Sequence, residues 1–396
     1  MGKPLAGIRV LDCTAVLSGP LATAQLADQG ADVIKVESGG GDTTRSVGPT
    51  KGPMSAMFIT ANRGKRAITV DLKKQEGLQV VLDLARTSDV FVENFRPGVA
   101  DRLGLGYAAL SAINPRIVYL SISGFGHDGP YAGARVYDGV VQATSGICDA
   151  HRNPVTGDPL QLSTNVCDKL TALTASQAIC AALFARERSG QGEHVKLSML
   201  DAAISFQWCD AMWNHVFLDD PPPKMPEIGT GLKPWKTADG FIAATMPQPE
   251  EFALFCKALG RDDVPQDPRF ATSRARTMHV KEMRAILEPE VAKHPTTELL
   301  ERMRSLGAPV GRVHDRVGMI EDPQVQHNRS MVEVDHGELG RVRLPRGAAR
   351  FGDQDSLPGP APAMGEHSVE VLRELGYDAA RIDSLLESGA ISTGQR

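Results

Sequence analysis

The chain has 396 residues, of which 42% are hydrophobic, and its formal net charge is −5 at pH 7. This length can supply two hydrophobic cores, so we expect two domains. Because acidic and basic residues are interspersed, neither nucleic-acid binding nor attachment to a membrane surface is indicated as the main role. No apolar run approaches the ~20 residues of a membrane-spanning helix, and we expect a cytoplasmic protein.

The first half of the chain alternates extended and helical patterns. Strands rich in Val and Ile are predicted at 8–14, 31–37, 90–94 and 116–123, with a further candidate at 194–200. Amphipathic helices are predicted at 21–29 and 75–87. Such alternation is typical of a parallel sheet covered by helices on both faces. We therefore predict an α/β fold with a Rossmann-like large domain.

The pattern changes after the three prolines at 221–223. Residues 237–243 predict a turn leading into a strand, and helical patterns follow as far as 306. We predict a large domain over 1–224, a smaller α+β domain over 225–325, and a C-terminal segment over 326–396 with short helices at 369–375 and 379–387.

Asp168 stands at the start of a predicted helix of small and apolar residues that runs to Phe184 and ends near Gly190. So uniform a helix is expected to be buried on most sides. A carboxylate at its N-terminus meets the positive end of the helix dipole, so it can stay ionised while partly withdrawn from water. Such a carboxylate can serve as a covalent nucleophile. The alternative is an ordinary N-cap aspartate.

The six cysteines are widely spaced and form no Cys-x-x-Cys pair, so they indicate neither a zinc site nor a disulfide framework. Cys167 directly precedes Asp168. We interpret it as a buried free cysteine rather than a nucleophile.

Basic residues gather beside predicted strand ends, where open parallel sheets place their ligands. Arg and Lys side chains are suited to phosphate groups. A solvated basic surface is the alternative for each residue taken singly. The group consists of Arg63, Lys65, Arg66, Lys73, Lys74, Arg96 and Arg102.

Residues 124–129 match the pattern GxGxxG. Pro130 and Tyr131 follow where a phosphate-binding helix should begin, and no acidic residue closes a second strand at the expected distance. A nicotinamide cofactor is therefore not predicted, and the absence of a Walker sequence argues against ATP activation. His127 lies in this loop without an identifiable partner, so we interpret it as a loop histidine rather than a base.

Several segments together resemble the class III CoA-transferases, a family that includes formyl-CoA transferase, carnitine CoA-transferase and the α-methylacyl-CoA racemases. The resemblance runs nearly end to end. It rests on Gly-Ala-Asp-Val-Ile-Lys-Val-Glu at 30–37, Asn-Arg-Gly-Lys-Arg at 62–66, Asn-Phe-Arg-Pro-Gly at 94–98, Ser-Gly-Phe-Gly-His-Asp-Gly-Pro-Tyr at 123–131, Arg-Val-Tyr-Asp at 135–138 and Met-Gly-Glu-His at 364–367.

The resemblance implies an enzyme that transfers CoA between carboxylic acids, with coenzyme A as substrate and carrier, no permanently bound cofactor and no metal. It implies Asp168 as the catalytic residue and an interlocked homodimer whose C-terminal segment returns to the large domain. It places CoA contacts at Leu72, Asn94, Phe95, Arg96, Arg102, Arg135, Tyr137 and Asp138. Many members carry Arg or Pro after the glutamate that matches Glu37, whereas Ser38 stands here.

Two details bear on the reaction that the resemblance implies. Gly229-Thr230-Gly231 is a candidate oxyanion loop acting in trans, and it is shorter than the glycine run of formyl-CoA transferases, so specificity for formate and oxalate is not supported. Where the racemases carry Gly-His-Asp, this chain has Val136-Tyr137-Asp138, and a tyrosine hydroxyl is a weak base at neutral pH. An acyl-CoA racemase and a CoA-binding protein without turnover remain the alternatives.

Overall fold

The computed structural model describes residues 3–352 and 357–394. The chain forms two compact units. The larger unit is built from the described residues of 1–149, 160–206 and 326–396, and the smaller unit consists of 150–159 and 207–325.

The strands of the described residues are β1 Arg9–Cys13, β2 Asp32–Glu37, β3 Thr50–Lys51, β4 Met54–Ser55, β5 Arg66–Val70, β6 Val90–Glu93, β7 Val118–Ser123, β8 His194–Ser198, β9 Trp235–Lys236, β10 Phe241–Ala244, β11 Val310–Arg312, β12 Met331–Asp335, β13 Arg341–Pro345 and β14 Ile391–Ser392.

The α-helices are α1 Ser18–Asp28, α2 Ala56–Ala61, α3 Gln75–Thr87, α4 Val99–Arg102, α5 Tyr107–Ile113, α6 Asp138–Ser145, α7 Ile147–Ala150, α8 Val166–Ser189, α9 Met199–Ala211, α10 Pro249–Ala258, α11 Ser273–Met278, α12 Val280–Val291, α13 Thr296–Ser305, α14 Arg316–Glu321, α15 Pro323–His327, α16 Ser368–Glu374 and α17 Ala379–Glu387.

The larger unit is organised by one sheet with the strand order β14-β5-β2-β1-β6-β7-β8, as far as the described residues go. Its strands are parallel except for β14, which pairs antiparallel with β5. The predicted α/β fold with a parallel sheet is confirmed. Because parallel strands all point their carboxyl ends at one edge, the loops after β1, β2, β6 and β7 gather there.

Alternating side chains of the strands supply two separate cores. Leu11, Phe91 and Tyr119 face one side of the sheet, where α3, α5, α16 and α17 pack. Val10 and Val92 face the other side, where α1 and α8 pack. The helices α1 and α8 also contact each other through the Ser176 hydroxyl, which donates to Oε1 of Gln25 at 2.8 Å.

Helix α8 begins at Val166, two residues before the predicted start. One of its faces is buried through small side chains such as Ala172 and Ala175, but Leu173 and Phe184 on the other face are 57% and 61% exposed. The expectation of burial on most sides is therefore wrong for the single chain. Among residues 3–352 and 357–394, none of the helices combines the length and the apolar character needed to span a membrane.

The smaller unit contains the antiparallel sheet β9-β10-β11 and the helices α10 to α13. Its core is aromatic: Trp235 and Phe255 pack with ring centroids 5.1 Å apart, and Phe252 is buried beside them. Thr237 and Thr296 share a hydroxyl hydrogen bond of 2.6 Å that fixes the turn before β10. This unit thus has a hydrophobic core of its own.

Candidate active site

Asp168 lies in the first turn of α8, as its third residue, and its side chain is buried. The N-cap is Asn165, which makes no side-chain capping bond. The interpretation of Asp168 as an N-cap is therefore wrong. Its carboxylate is not used on its own helix and is free to interact with a neighbouring element.

That neighbouring element is the N-terminus of α1. Ser18, the first residue of α1, turns its backbone N–H and its hydroxyl toward the Asp168 carboxyl, and both groups lower the pKa of that carboxyl. The N-cap of α1, Leu17, has no side-chain acceptor, so the Asp168 carboxylate lies beside a helix end whose first N–H groups lack a side-chain cap. The nucleophile candidate thus lies at the start of two helices at once.

Asp138, the first residue of α6, orients Asp168 from the other side. Its Oδ2 accepts the backbone N–H of Asp168 at 3.0 Å, and its Oδ1 accepts the Gln142 side-chain amide at 2.5 Å. Gln142 in turn accepts the N–H of Leu162 at 2.8 Å and donates to the carbonyl of Thr164 at 3.1 Å, so α6 is tied to the segment that leads into α8.

This environment raises the pKa of Asp168 to about 6. Burial is the largest cause, because it disfavours the charged carboxylate, and the nearby charge of Asp138 acts in the same direction. The hydrogen bonds from Ser18 and the charge of Lys169 oppose the rise. At neutral pH the group is therefore mostly ionised, but more basic than an ordinary aspartate.

The neighbouring Cys167 is fully buried. Burial, followed by the charges of Asp138 and Asp168, raises the pKa of its thiol to about 12, so the thiolate is not formed at neutral pH. This agrees with its interpretation as a buried free cysteine.

Three of the predicted CoA-binding residues use their polar groups inside the protein. The Asn94 side chain holds both backbone groups of Ala15, accepting its N–H at 2.9 Å and donating to its carbonyl at 2.8 Å. The Phe95 N–H donates to the Glu93 carboxylate at 2.8 Å. The Asp138 carboxylate is occupied as described above. Any ligand contact by these three would involve other atoms.

Glu93 was not predicted from the sequence. Burial raises the pKa of its carboxyl to about 7, partly opposed by the hydrogen bond from Phe95. It is the last residue of β6, directly before Asn94. A carboxylate closing a parallel strand is a signal that sequence reasoning could have used.

The other predicted CoA-binding residues keep their side chains accessible. Leu72 is half-buried against the core of α3. Tyr137, the N-cap residue of α6, is 71% exposed. Exposed cationic side chains are found at Arg96, Arg102 and Arg135.

The basic residues predicted as one group between 63 and 102 differ in whether the protein already pairs them with carboxylates. Arg63 is buried against Asp28 with Nη2 to Oδ2 at 2.6 Å, and Lys65 is buried with its Nζ 2.8 Å from Oδ2 of Asp12. Arg66 contacts Asp32 and also Glu370 and Glu374 of α16. Each of these three cations already has a carboxylate partner in the protein. Neither the interpretation as a phosphate site nor the alternative of a solvated basic surface therefore fits them.

The glycine motif at 124–129 forms turns after β7, and the next helix begins only at Asp138. No helix therefore begins directly after these glycines. His127 has a partner that the sequence did not reveal: its Nε2 lies 3.3 Å from the Ser121 hydroxyl, which also contacts His194 at 2.8 Å. Burial lowers the pKa of His194 to about 4.

Gly229-Thr230-Gly231 belongs to the smaller unit, where a 3₁₀ turn covers Ile228–Thr230. Over the described part of the chain, no group of three or more His, Cys, Asp or Glu side chains is arranged to hold a metal ion.

The fold and the site together describe an α/β protein with a parallel sheet and a buried carboxyl of raised pKa at Asp168. The family model for CoA-transferase family III matches residues 5–368, and the chain belongs to this family. It is a CoA-transferase, an enzyme that moves CoA between an acyl-CoA and a carboxylic acid.

Named relatives cover almost the whole chain. It is 35% identical to succinyl-CoA:glutarate CoA-transferase of Mus musculus, over 98% of this chain and 90% of the mouse protein. It is 37% identical to succinate–glutarate CoA-transferase of Agrobacterium fabrum, over 94% of this chain and 96% of that protein. A CaiB/BaiF family protein from Brucella suis has a solved structure that superposes with a TM-score of 0.81 at 33% identity, covering 95% of this chain and 100% of the other.

Proposed function

We propose that this CoA-transferase works by covalent catalysis at Asp168, through an acyl-aspartyl anhydride and an aspartyl-CoA thioester. The observation that carries the proposal is the placement of the Asp168 carboxylate, buried in the first turn of α8 and facing the N–H and hydroxyl of Ser18, which lower its pKa. A carboxylate nucleophile must be ionised yet weakly solvated, and this site provides both conditions.

The first half-reaction converts the donor acyl-CoA into a free acid. A carboxylate oxygen of Asp168 attacks the thioester carbonyl, the carbon–sulfur bond breaks, and the CoA thiolate leaves. The thiolate then attacks the aspartyl carbonyl of the anhydride. The donor acid departs as a carboxylate, and CoA is left as a thioester on Asp168.

The second half-reaction runs the same steps with the acceptor acid. Its carboxylate attacks the aspartyl thioester and displaces the CoA thiolate, forming a new anhydride. The thiolate attacks the acceptor acyl carbonyl, which releases the product acyl-CoA and restores the Asp168 carboxylate. Anhydride and thioester are similarly activated acyl groups, so no ATP is required.

Ser18 has a role in these steps that follows from its position beside the Asp168 carboxyl. When thiolate or carboxylate attacks the aspartyl carbonyl, negative charge develops on the oxygen of Asp168 that the Ser18 N–H faces. A fixed donor at a helix N-terminus stabilises such a charge without reorganisation. The Ser18 hydroxyl adds a second donor.

The CoA phosphates are assigned to the exposed cations Arg96, Arg102 and Arg135, whose side chains lie at the surface of the larger unit. Arginine suits phosphate oxygens through its bidentate guanidinium. Tyr137, exposed beside Arg135 in sequence, offers an aromatic surface to the same ligand.

The names of the relatives suggest which acids to supply first. Two of them are named for succinyl-CoA or succinate with glutarate. Purified enzyme should therefore be incubated with succinyl-CoA and glutarate, followed by a wider panel of carboxylic acids, and CoA exchange read by mass spectrometry.

The covalent step has a direct test. Hydroxylamine or borohydride added during turnover should trap the acylated enzyme, and a peptide map should place the modification on Asp168. Asp168→Asn should lower turnover by at least about 10³-fold while the fold and CoA binding persist. Asp201, exposed in the first turn of α9, provides the matched control Asp201→Asn, which should remain active. Substantial transferase activity in Asp168→Asn would contradict the mechanism.

A further inference from the structure

The turn between β1 and α1 is strained. Val16 has a φ of 71°, in the left-handed region that β-branched residues rarely adopt. Such conformations persist only where the surroundings over-determine them, and they cluster at functional sites. Val16 is two residues before Ser18, so the direction of this turn decides where the start of α1 points.

Side chains from four separate places hold the backbone of this turn. Asp12 of β1 accepts the Thr14 N–H at 2.9 Å, and Lys35 of β2 donates to the Thr14 carbonyl at 2.9 Å. Asp42, in the loop after β2, accepts the Val16 N–H at 3.3 Å. These hydrogen bonds hold the turn at Thr14 and Val16, its first and last residues.

The residue between them, Ala15, is held on both of its backbone groups by Asn94, which follows β6. Ala15 itself is exposed, so its amide groups could have been left to water. An asparagine amide can accept from an N–H and donate to a carbonyl at once, which an ionised aspartate, with acceptors only, cannot do.

The side chains that hold the turn are themselves fixed by buried ion pairs. Lys35 is fully buried and pairs with Asp42 at 3.0 Å, and Asp12 pairs with Lys65 at 2.8 Å. The turn approaches α1 so closely that a Cβ at Gly19 would lie 2.4 Å from the Thr14 side chain. The end of the turn and the start of α1 therefore move together.

We propose that Asn94 and Asp42 are positioning residues that hold the Thr14–Val16 turn so that the Ser18 N–H and hydroxyl stay beside the Asp168 carboxylate. This inference rests on the proposed role of Asp168 as the nucleophile. It assigns the Asn94 side chain to the protein rather than to a direct contact with CoA.

The expected consequence is a change in the protonation of Asp168. The groups that face its carboxyl are Ser18 from α1, Asp138 from α6, and Lys169 and Cys167 on α8. Burial and Asp138 raise its pKa to about 6, and Ser18 opposes that rise. If the turn loosens and Ser18 withdraws, the pKa of Asp168 must increase.

The experiment compares Asn94→Ala, Asp42→Asn and the control Asn114→Ala with the unmodified enzyme. Asn114 also holds backbone groups in this unit, donating to the carbonyls of Ala85 and Ser88 at 3.0 and 2.8 Å, but it precedes β7 and does not touch the turn. For both test variants, the acidic limb of the kcat profile should move to higher pH by roughly half a unit to one unit, while the control is unshifted.

A second readout needs no turnover. The difference in unfolding stability between each protein and its own Asp168→Asn derivative, measured by urea unfolding across pH 4 to 8, reports the pKa of Asp168 by linkage. In Asn94→Ala and Asp42→Asn, this difference in unfolding free energy should continue to change with pH up to a higher pH than in the unmodified protein. This measurement remains decisive if no CoA transfer is found, in which case the proposed function fails and the positioning inference is still tested.

The outcomes separate the two roles open to Asn94. A shifted Asp168 pKa in both test variants, with acyl-CoA affinity within about twofold of the unmodified enzyme, supports positioning. A loss of acyl-CoA affinity in Asn94→Ala with an unshifted pH profile overturns it, because Asn94 would then be a ligand contact. An unshifted Asp168 pKa in the variants that fold also overturns it.

Discussion

Two buried aspartates in the larger unit have opposite chemistry. Asp12, at the end of β1, is fully buried, and although burial alone would raise the pKa of its carboxyl, Lys65 and Lys35 hold that pKa below its ordinary value. Asp168 is buried to a similar degree, but its charged neighbour is another carboxylate, and its pKa rises to about 6. Both aspartates are buried, so the charge of the neighbouring group decides whether the pKa of the carboxyl falls or rises.

The difference separates a structural charge from a chemical one. Asp12 uses both oxygens on protein donors: Thr14 bonds to Oδ1, and Thr23 and Lys65 bond to Oδ2. Among the described residues, the polar groups of Ser18 and the charge of Lys169 lower the pKa of Asp168, and no lysine or arginine forms an ion pair with its carboxylate. A carboxylate with incomplete compensation stays reactive, whereas one that is neutralised by an ammonium group serves the fold.

The largest expected effect on stability follows from removing the charge of Asp12. Asp12→Asn leaves the buried ammonium groups of Lys65 and Lys35 short of a counter-charge, which should cost about 3 to 5 kcal/mol in the free energy of unfolding. Urea unfolding at pH 7 measures the loss. The double variant Asp12→Asn/Lys65→Met removes both members of the pair and should be more stable than Asp12→Asn. Equal stability of Asp12→Asn and the unmodified protein would remove the distinction drawn between the two aspartates.

The next effect is the opposite pH dependence of the two groups. Because the pKa of Asp168 is higher in the folded state, the folded protein binds more protons than the unfolded chain between about pH 4 and 6. The stability of the unmodified protein relative to Asp168→Asn should therefore decrease by up to about 3 kcal/mol as the pH rises through that range.

The contribution of Asp12 has the reverse sign. Its folded pKa lies below the unfolded value, so its stabilisation is present above about pH 4 and is lost as the pH falls further. Urea unfolding from pH 3 to 8, with Asp12→Asn and Asp168→Asn as the two references, separates the groups. If the difference in unfolding free energy between the unmodified protein and Asp168→Asn did not change with pH, the carboxyl of Asp168 would titrate as in the unfolded chain.

The same contrast between paired and free charges applies to the cations. Arg96→Ala should weaken acyl-CoA binding by about 1.5 to 3 kcal/mol, because an exposed guanidinium that binds phosphate makes a charge-assisted contact. Its unfolding free energy should be nearly unchanged. Arg63→Ala, by contrast, leaves Asp28 buried without its partner, and should lose stability while acyl-CoA affinity is kept. Calorimetric titration with acyl-CoA and urea unfolding on both variants test this, and an unchanged affinity in Arg96→Ala would place Arg96 outside the CoA site.

The strand and helix periodicities were sufficient to predict the parallel sheet. The predicted helix at 75–87 coincides with α3 at both ends, because its apolar residues repeat at helical spacing. Two strands of the sheet were missed. β5 begins with Arg66 directly after a polar run, and β14 has two residues, too few to show alternation.

At the site, the helix start left Asp168 open as an N-cap or a nucleophile, and the family resemblance made it the candidate nucleophile. Neither indicated the groups that set its pKa. Ser18 and Asp138 lie 150 and 30 positions away along the chain, and only folding brings them to the carboxylate. The buried cations show the same limit. In the sequence, Lys65 resembles Arg96, and the carboxylate that pairs with Lys65 is that of Asp12, which comes from the distant strand β1.

The smallest expected effect is the absence of α-proton exchange, which tests the choice of transfer over racemisation. A racemase needs a base on each face of the α-carbon. Asp168 can supply one, but the carboxylate of Asp138 is occupied by the Asp168 N–H and by Gln142, and Tyr137 is exposed. Incubation with a 2-methylacyl-CoA in deuterated water should give no enzyme-dependent deuterium at the α-carbon, while CoA exchange with a matching free acid proceeds. The Asp168→Asn variant serves as the blank for both readings. Rapid deuterium uptake without CoA exchange would show that Asp168 acts as a base rather than as a nucleophile.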